Sequence, residues 1–600
     1  MGRRFPASGL LAAAVAILAA APALAAKPRF DAAPDARIMS KRLFDIGVAD
    51  PDRDGNQDIF TTNHKFRSVF LRNVGGRRYR DDIDRMALGP DPQFPGLDLL
   101  REPPDDAPGI YIWPSDEPGD AGRLHVTSTG IAATGTVSMY TRRVNVSGVD
   151  RAAADVGYDR DNRPQIDFSI QPGGEFVIAS NGLADLPITF DFDDTGIAPD
   201  QIGVGSLAVP PSSLLFRFKL RDRHGAAYAD VGGDSDQDVF ITTGGLGGGI
   251  ASKKFFGLVV DQLLVSHEDG YADQIGISGM VKGRCRGRSA AYSDADGDGR
   301  LDLLVTCEGD RPLLFTQTLR DGFVQLVAPR ALGTAYRWAQ LDRGGSELLV
   351  SNRRGLEVWS SRRGRWRRTE TIRAGRDADQ IALGDYDNSG TLDVLVTGRN
   401  GVELLKNRRG RLHPVRSRLG LPGRAAAATF VDYDNDGRLD VSLAPQGIYR
   451  RAGERFARTG VLNMRRVGYA IVEWMDFDND GRRDPLIATS RREFSPSSHV
   501  IRKRNVTRGG HWLEVELTGG IWNREAFGAS VRVRLKGGRK LTQWVGQNDD
   551  ARHSQGHYRL YFGLGHRRLA KRLVVRWPGG GKTRMRGVRA DRLLRISRAR

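Results

Sequence analysis

The sequence is poor in cysteine, with only Cys285 and Cys307 among 600 residues. Two cysteines exclude a zinc site built from CxxC pairs. The two residues flank one acidic loop, and in an oxidising compartment they can form a disulfide that stabilises the fold by roughly 3 kcal/mol. Two buried free thiols are the alternative. We predict the disulfide, because the N-terminus indicates export.

Long apolar runs are also scarce. The chain begins with two basic residues (Arg3, Arg4), continues with the apolar run Leu10–Ala21 and then has small residues in an A-x-A arrangement. The run is shorter than the roughly 20 residues that a membrane span needs, so we predict a signal peptide over 1–25 rather than an anchor. The arginine pair leaves a twin-arginine signal open. No later segment is long and apolar enough to cross a bilayer, which predicts a secreted or periplasmic protein without a membrane span.

Catalytic motifs are equally hard to find. "GISGM" at Gly276 falls short of a G-x-S-x-G elbow, and "GGLGGG" at Gly244 lacks dinucleotide-binding spacing. His553 and His557 are four residues apart, but the intervening "SQG" is not helical and no Glu accompanies them. We therefore favour polar residues of a β-domain turn over a zinc site. Enzymatic activity stays open, with a non-catalytic protein favoured.

Aspartate, in contrast, is concentrated in five short segments with the pattern D-x-D-x-[DS]-G-x-x-D. They read "DPDRDGNQD", "DADGDGRLD", "DYDNSGTLD", "DYDNDGRLD" and "DFDNDGRRD". Adjacent carboxylates repel one another, so such clusters predict a bound cation. Side chains at positions one, three, five and nine, with the carbonyl at seven, form the predicted ligand sets. These are Asp50, Asp52, Asp54, Asn56 and Asp58; Asp294, Asp296, Asp298, Arg300 and Asp302; Asp385, Asp387, Ser389, Thr391 and Asp393; Asp432, Asp434, Asp436, Arg438 and Asp440; and Asp476, Asp478, Asp480, Arg482 and Asp484.

Calcium is the expected cation, because it accepts six to eight oxygen ligands in adaptable geometry, whereas Mg²⁺ requires stricter geometry. An EF-hand would need a Glu at position twelve and flanking helices. Position twelve is instead Thr61, Val305, Val396, Leu443 or Ile487, and the ninth Asp opens an apolar run typical of a strand. We predict about five structural Ca²⁺ sites in loops between strands. An Asp-rich turn held by its own backbone is the alternative for each loop.

Two degenerate copies extend the series. "DVGGDSDQD" from Asp230 has Gly232 and Ser235 where a ligand and the turn glycine are expected, so calcium binding there is left undecided. "LDRGGSELLV" around Asp342 keeps only the strand, and no tight calcium site is predicted.

The spacing of these motifs predicts the architecture. Those that start at 294, 342, 385, 432 and 476 recur with a period of about 45 residues, as expected for four-stranded propeller blades. Together with the motifs at 50 and 230 they indicate an all-β, seven-bladed β-propeller. Between 50 and 230 lie about 135 residues more than one blade needs.

These additional residues separate the first predicted blade from the remaining blades. After the signal peptide, we predict the N-terminal part of the propeller and its first blade over 26–84, and an inserted β-rich domain over 85–225. The remaining blades follow over 226–505. A C-terminal β-sandwich-like domain occupies 506–600.

The acidic loops with their following strands resemble the FG-GAP/VCBS repeats of integrin-like propellers. From His511 to Ile596 the chain is similar to the ASPIC/UnbV domain, through "NREAFGASVRV", "HSQGHYRLYFGLG" and "LVVRWPGG". Together these suggest a bacterial relative of the cartilage acidic protein family. The resemblance implies a secreted, calcium-loaded binding or adhesion protein. Two cysteines cannot form the cysteine-rich module of animal members, and the insertion has no counterpart.

The net charge is +19, from 91 Lys and Arg against 72 Asp and Glu. Stretches such as "RRGLEVWSSRRGRWRRT", "KNRRGRLHPVRSR" and "HRRLAKRLVVRW" can attract polyanions, while a general bias toward arginine is the alternative. We predict a non-catalytic calcium-binding protein for an anionic glycan or protein ligand, and regard nucleic acid as an unfavoured partner. A propeller-based polysaccharide lyase or cyclase and a purely structural envelope protein are the competing hypotheses.

Overall fold

The computed structural model describes residues 27–598 with short gaps. The gaps are 41–42, 65–67, 76–77, 83–90, 93–107, 115–122, 140–143, 159–163, 180–185, 194–201, 205–206, 209–213, 220–222, 245–260, 268–269, 276–277, 281–284, 319–321, 343–344, 363, 417–418, 465–468, 492–497 and 547–551. The predicted signal peptide lies outside the described residues. Every regular element in the described ranges is a β-strand, which confirms the all-β fold class. No helix with the length and hydropathy of a membrane span occurs in these ranges.

Seven four-stranded antiparallel sheets of one pattern, named sheets 1 to 7, can be traced in the described ranges. Their strands are Leu43–Ala49, Asp58–Asn63, Phe70–Asn73 and Tyr79–Asp81 (sheet 1); Arg223–Ala229, Asp238–Thr243, Gln262–His267 and Gly270–Asp273 (sheet 2); Gly287–Ser293, Asp302–Cys307, Leu313–Gln317 and Phe323–Leu326 (sheet 3); Ala335–Ala339, Glu347–Asn352, Gly355–Arg362 and Arg365–Ile372 (sheet 4); Gln380–Gly384, Asp393–Gly398, Gly401–Arg408 and Arg411–Pro414 (sheet 5); Ala427–Val431, Asp440–Ala444, Gly447–Ala452 and Arg455–Arg458 (sheet 6); and Tyr469–Met475, Asp484–Ser490 and Ser498–Asn505 with the N-terminal Phe30–Ser40 (sheet 7).

The two ends of this series meet in sheet 7. Its outermost strand is the N-terminal Phe30–Ser40, which pairs antiparallel with Ser498–Asn505. First strands of neighbouring sheets also contact one another, in the pairs 1 and 2, 2 and 3, 4 and 5, 5 and 6, 6 and 7, and 7 and 1. Sheets 3 and 4 share an apolar cluster that includes Leu304, Leu314, Trp338 and Leu348.

The second strand of each sheet explains why the sequence folds in this way. These strands read as continuous apolar or small runs such as "DLLVTC" and "DVLVTG", and both are buried along their whole length. A strand covered on both faces loses the usual alternation of apolar and polar residues. The acidic first residue of the strand is the exception, and it belongs to the loops described below.

Residues from Asp91 to Lys219 contribute a separate ten-stranded sheet. Its strands are Asp91–Pro92, Gly109–Pro114, Arg123–Thr129, Ala133–Met139, Asn145–Tyr158, Pro164–Ala179, Leu186–Phe192, Ile202–Val204, Leu207–Ala208 and Leu214–Lys219. It has its own apolar cluster, with Ile110, Val126, Ile166 and Phe176 fully buried. The cluster shares no residue with the cores of the seven sheets.

Two further sheets form the C-terminal part of the chain. A three-stranded sheet contains His511–Thr518, Leu560–Gly565 and Leu593–Ser597, and a four-stranded sheet contains Ser530–Leu535, Lys540–Trp544, Leu569–Arg576 and Lys582–Arg589. Val515, Val531, Val533 and Leu573 belong to one buried cluster that joins the two sheets. The same cluster includes residues of sheets 2 and 3, such as Tyr292, so the C-terminal sheets pack directly on the seven-sheet body.

Cys285 and Cys307 form a disulfide, with Cα atoms 5.2 Å apart. Cys285 lies just before the first strand of sheet 3, and Cys307 ends the second strand. The bond therefore links the two strands that carry the loop starting at Asp294.

Candidate metal centres

Each of the five aspartate loops joins the first strand of a sheet to the second, in sheets 1, 3, 5, 6 and 7. The glycine at position six has a positive φ in all five loops, for example +80° at Gly437 and +81° at Gly481. Only glycine adopts this conformation at little cost. In sheet 6 the first aspartate holds the turn, because Asp432 accepts hydrogen bonds from Asp436 N at 3.0 Å and Gly437 N at 2.9 Å.

Three carboxylates converge in every one of these loops. One oxygen from each member of a trio lies within 4.8 Å of the others. The trios are Asp50, Asp52 and Asp54; Asp294, Asp296 and Asp302; Asp385, Asp387 and Asp393; Asp432, Asp434 and Asp440; and Asp476, Asp478 and Asp484. In four loops the trio consists of positions one, three and nine, which brings residues eight positions apart to one point.

Burial makes these clusters costly when they are ionised without a cation. Desolvation, with a smaller contribution from neighbouring aspartates, raises the pKa of Asp385 to about 7 and that of Asp393 to about 8. Desolvation also raises the pKa of Asp440 well above its usual value. A divalent cation among the carboxylates would reverse this balance and favour the ionised form.

Several carboxylate oxygens of the predicted ligands are buried without accepting a hydrogen bond, which is the clearest sign that the loops fit a cation. They include Asp58 Oδ2, which lies outside the sheet 1 trio, and Asp294 Oδ1, Asp393 Oδ2, Asp434 Oδ1 and Asp440 Oδ2. The ninth aspartate shows how this arises: Asp440 Oδ1 accepts from Arg451 N at 2.7 Å, while Oδ2 stays available to a ligand. Hard carboxylate oxygens held in this way are the donors that calcium prefers.

The predicted ligands at positions five and seven fare differently. At position five, Asp54 belongs to the trio of sheet 1, whereas Asp298, Asp436 and Asp480 lie outside the trios and pair with the arginine two residues later (Arg300, Arg438 and Arg482). In sheet 5 Ser389 Oγ contacts Asp385 Oδ1 at 3.4 Å, and in sheet 1 Asn56 N donates to Asp54 Oδ1 at 2.6 Å. Coordination by the carbonyls of Asn56, Arg300, Thr391, Arg438 and Arg482 stays a prediction.

The degenerate loop at Asp230 is held by hydrogen bonds instead. Asp238 Oδ2 accepts from Val231 N at 2.7 Å and Gly232 N at 2.9 Å, and Oδ1 accepts from Ser266 N at 2.8 Å. Asp230 lies 3.6 Å from the Arg524 guanidinium. With these oxygens engaged, the loop resembles the alternative of an Asp-rich turn that needs no cation.

In the loop near Asp342, sequence reasoning missed Glu347. This residue opens the second strand of sheet 4, as the ninth aspartate does elsewhere, and its Oε2 accepts from Leu341 N at 3.0 Å. Burial raises the pKa of Glu347 to about 7. The strand-opening acid in "SELLV" was the available signal.

A repeated inter-sheet hydrogen bond was also missed. Asparagine at or just before the end of the third strand donates to a carbonyl of the preceding sheet: Asn73 to Phe477 O at 3.0 Å, Asn407 to Leu341 O at 2.8 Å and Asn505 to Tyr433 O at 2.8 Å. The recurring asparagine in "FLRN", "LLKN" and "RKRN" was the signal. These three bonds tie the loop regions of sheets 7, 4 and 6 to the third strands of sheets 1, 5 and 7.

The C-terminal sheets lie against the aspartate loops. The buried guanidinium of Arg559 pairs with Glu514 at 3.0 Å and donates to Gly55 O at 2.7 Å and to Asn479 Oδ1 at 2.8 Å. It thereby joins the loops of sheets 1 and 7 through one side chain. Glu525 pairs with Arg53 of the sheet 1 loop and accepts a hydrogen bond from Asp230 N of the sheet 2 loop at 3.1 Å.

The segment 552–559 continues from this contact into the space between first strands. His553 N donates to Asp45 Oδ2 at 2.9 Å, Tyr228 N donates to Gln555 O at 2.9 Å, and Tyr292 N donates to Gln555 Oε1 at 2.7 Å. Sheets 1, 2 and 3 therefore meet the same short segment. The polar "HSQGHYR" run has partners for its backbone, which explains its composition.

His553 and His557 occupy this segment as polar core residues. Burial lowers the pKa of both imidazoles well below the usual value. His557 Nδ1 lies 2.8 Å from Gln57 Nε2, and His553 Nδ1 lies 2.9 Å from Ser289 Oγ. In the described ranges, the converging metal-ligand trios contain aspartate only.

The chain matches two family models. Residues 519–600 match the family described as ASPIC and UnbV, and residues 385–442 match the FG-GAP-like repeat. The first match covers part of the C-terminal sheets, and the second contains the loops of sheets 5 and 6. No curated protein is significantly similar in sequence.

Solved structures give only distant likeness. An Agrocybe aegerita lectin that recognises non-reducing terminal N-acetylglucosamine is 15% identical, with a TM-score of 0.33 over 48% of this chain and 80% of its own. The exotype rhamnogalacturonan lyase YesX is 13% identical, with a TM-score of 0.29 over 83% and 91%. The lectin BP39L from Burkholderia pseudomallei is 13% identical, with a TM-score of 0.25 over 64% and 99%. Likeness at this level carries no inference about function.

Proposed function

We propose that this chain is a secreted or periplasmic calcium-binding protein that presents a rigid surface to an anionic extracellular ligand and performs no chemistry on it. About five Ca²⁺ ions stiffen the loops of a closed seven-bladed propeller. In this proposal the protein is a bacterial relative of the cartilage acidic protein family.

The observation that carries the proposal is the set of buried carboxylate oxygens without hydrogen-bond donors in four of the five loops. A buried carboxylate that is ionised without a compensating charge costs several kcal/mol, so a cation bound among these oxygens would stabilise each loop in its ionised form. Calcium supplies that charge and has a structural role, because the C-terminal sheets cover these loops. The N-terminal strand Phe30–Ser40 pairs with Ser498–Asn505, the third strand of sheet 7, and this pairing supports closure of the ring.

The domain division belongs to the same proposal. The propeller comprises 26–84 and 226–505, the inserted domain 85–225, and the C-terminal domain 506–600. Separate apolar clusters support the independence of the inserted domain, whereas the cluster shared with sheets 2 and 3 supports tight docking of the C-terminal domain.

A binding screen tests the proposal. The calcium-loaded protein is applied to immobilised acidic and neutral polysaccharides, and the screen is repeated after chelation. We expect retention on acidic polysaccharides with calcium present, and loss of retention together with a lower melting temperature after chelation. Calcium-dependent stability without retention on any acidic polysaccharide would contradict the binding role and leave a structural one.

A cleft favours a second candidate function, that of a polysaccharide lyase. It has a volume of about 530 Å³ and is lined by Asp379, Arg399, Arg424, Tyr469 and Arg552, among others. Arg552 Nη1 donates to the Tyr469 hydroxyl at 2.7 Å. Convergent arginine and tyrosine can neutralise a uronate and accept or donate a proton. Ultraviolet absorbance from an unsaturated product of an acidic polysaccharide would support this function, and its loss in Tyr469→Phe would assign it to the cleft.

A further inference from the structure

The C-terminal four-stranded sheet carries a cationic face. None of its strands, "SVRVRL", "KLTQW", "LAKRLVVR" and "KTRMRGVR", contains an acidic residue. Their inward side chains, such as Val531, Val533, Leu573 and Val575, are fully buried. The alternating residues point outward, and eight of them are Lys or Arg.

We call these eight residues the outer basic face: Arg532, Arg534, Lys540, Arg572, Arg576, Lys582, Arg584 and Arg586. The strand register aligns four of them in one row across the sheet, because Lys540 pairs with Arg534, Arg534 with Arg572, and Arg572 with Arg586. Neighbouring strands are about 4.8 Å apart, so the row extends roughly 14 Å. A second row pairs Arg576 with Lys582.

Six of the eight side chains are exposed, while Arg532 and Arg576 are half-buried. Arg532 contacts Thr542 Oγ1 at 3.2 Å. The other seven side chains form no ion pair or hydrogen bond with any residue in the described ranges. Aligned cations at strand spacing repel one another, and a multivalent anion would relieve this repulsion.

The face continues into a large cleft. This cleft has a volume of about 860 Å³, with Arg532, Arg576 and Lys582 on one wall. The loops of sheets 3 and 5 form the other wall through Asp296, Ser389 and Thr391, among others. The cleft is therefore lined by hydroxyl groups, by basic side chains and by the aspartate loops of sheets 3 and 5.

We propose that the outer basic face and this cleft bind a linear acidic polysaccharide, with its carboxylate or sulfate groups on the arginine row. This inference rests on the proposed function and gives that function a location. Guanidinium groups bind planar carboxylate and tetrahedral sulfate through paired hydrogen bonds, and a chain of sugar rings supplies such groups at regular intervals.

The same surface is less suited to other polyanions. Single-stranded nucleic acid binds to exposed aromatic rings, but the tryptophans of the cleft, Trp544 and Trp577, are buried. A membrane surface requires several exposed apolar anchors, whereas the four strands offer the exposed Leu569 at one end and the half-buried Val574. An acidic polysaccharide needs neither feature.

The test compares two variants of equal charge change in the full calcium-loaded chain. Arg572→Ser/Arg586→Ser removes the middle of the row. Arg365→Ser/Arg367→Ser removes two exposed arginines from the outer strand of sheet 4. Binding of polygalacturonate, dextran sulfate, neutral dextran, single-stranded DNA and anionic vesicles is measured by biolayer interferometry. Melting temperature and bound calcium verify that both variants fold.

We expect the row variant to weaken binding of an acidic polysaccharide about tenfold, which corresponds to 1.4 kcal/mol, while the sheet 4 variant changes it less than twofold. No binding of either acidic polysaccharide by the wild type would overturn both this inference and the proposed function. Equal weakening in the two variants, or none, would overturn the location alone. Tighter binding of DNA or vesicles than of either acidic polysaccharide would overturn the ligand class.

Discussion

At the scale of single residues, the ninth aspartate differs between a loop that we propose to bind calcium and a loop that hydrogen bonds hold. Asp440 and Asp238 both open the second strand of a sheet, and both accept one hydrogen bond from the backbone of the third strand. Asp440 Oδ2 has no donor, whereas Asp238 Oδ2 has two. The two positions therefore form a natural comparison.

We predict that Asp440→Asn lowers the bound calcium by one ion per chain, because the amide removes a charged ligand from the loop of sheet 6. Asp238→Asn should leave the calcium content unchanged, although it destabilises the fold by about 1–3 kcal/mol through altered hydrogen bonds. Elemental analysis of protein freed of excess calcium measures both. An equal loss of calcium in the two variants would contradict the assignment.

Asp45 provides a residue-scale prediction about pH. Burial raises the pKa of Asp45 from 3.8 to about 6, with a partial counter-effect from the hydrogen bond donated by His553 N. Between these two values the folded state holds a proton that the unfolded state releases, so the free energy of unfolding falls as pH rises. The expected contribution is on the order of 2–3 kcal/mol.

Asp45→Asn keeps an acceptor for His553 N and removes the titration. We expect the variant to be more stable than the wild type above pH 6 and the difference to shrink toward pH 4. Denaturant unfolding at a series of pH values, with calcium present, gives both curves. A difference that does not change across this range would show that Asp45 keeps its ordinary pKa in the fold.

At the scale of elements, two loop glycines allow the energetic cost of backbone strain to be measured apart from the cost of a lost contact with the C-terminal sheets. Gly481 and Gly299 occupy the same loop position with φ of +81° and +84°. A Cβ on Gly481 would lie 1.9 Å from the Trp512 ring, while a Cβ on Gly299 would meet nothing within 4 Å. Trp512 belongs to the C-terminal three-stranded sheet.

We predict that Gly299→Ala lowers stability by about 1–2 kcal/mol through strain alone. Gly481→Ala should cost more and should also loosen the C-terminal sheets, because Trp512 must move. Thermal unfolding gives the cost, and limited proteolysis reports cleavage between sheet 7 and residue 511. Equal destabilisation of the two variants, without new cleavage in Gly481→Ala, would contradict the close packing of Gly481 on Trp512.

Much of the arrangement of strands and loops could be predicted from the sequence. The period of about 45 residues and the apolar runs after each ninth aspartate predicted the strand-loop-strand units, because these features depend on local residue order. The asparagine bonds between sheets and the trio of positions one, three and nine could not be predicted in the same way. They depend on how a neighbouring sheet and the third strand meet the loop.

At the scale of the whole molecule, the C-terminal sheets cover part of the aspartate loops. Arg559 and Glu525 fill the space over the loops of sheets 1, 2 and 7. Sequence patterns predicted a C-terminal β-domain but gave no sign of its docking face. The reason is that "HSQGHYR" and its partners Asp45, Tyr228 and Tyr292 are hundreds of residues apart.

The uneven distribution of charge is another property of the whole molecule. Acidic groups are concentrated in the loops, whereas the outer basic face has cations alone. Composition indicated a basic protein, but only strand register places Lys540, Arg534, Arg572 and Arg586 in one row.

Native mass spectrometry of the intact protein, before and after chelation, counts the calcium ions that the aspartate loops bind. We expect about five calcium ions per chain, loss of all five after chelation, and a lower melting temperature for the calcium-free form. A chain that carries no calcium at millimolar concentrations and melts at the same temperature with and without chelator would contradict this expectation.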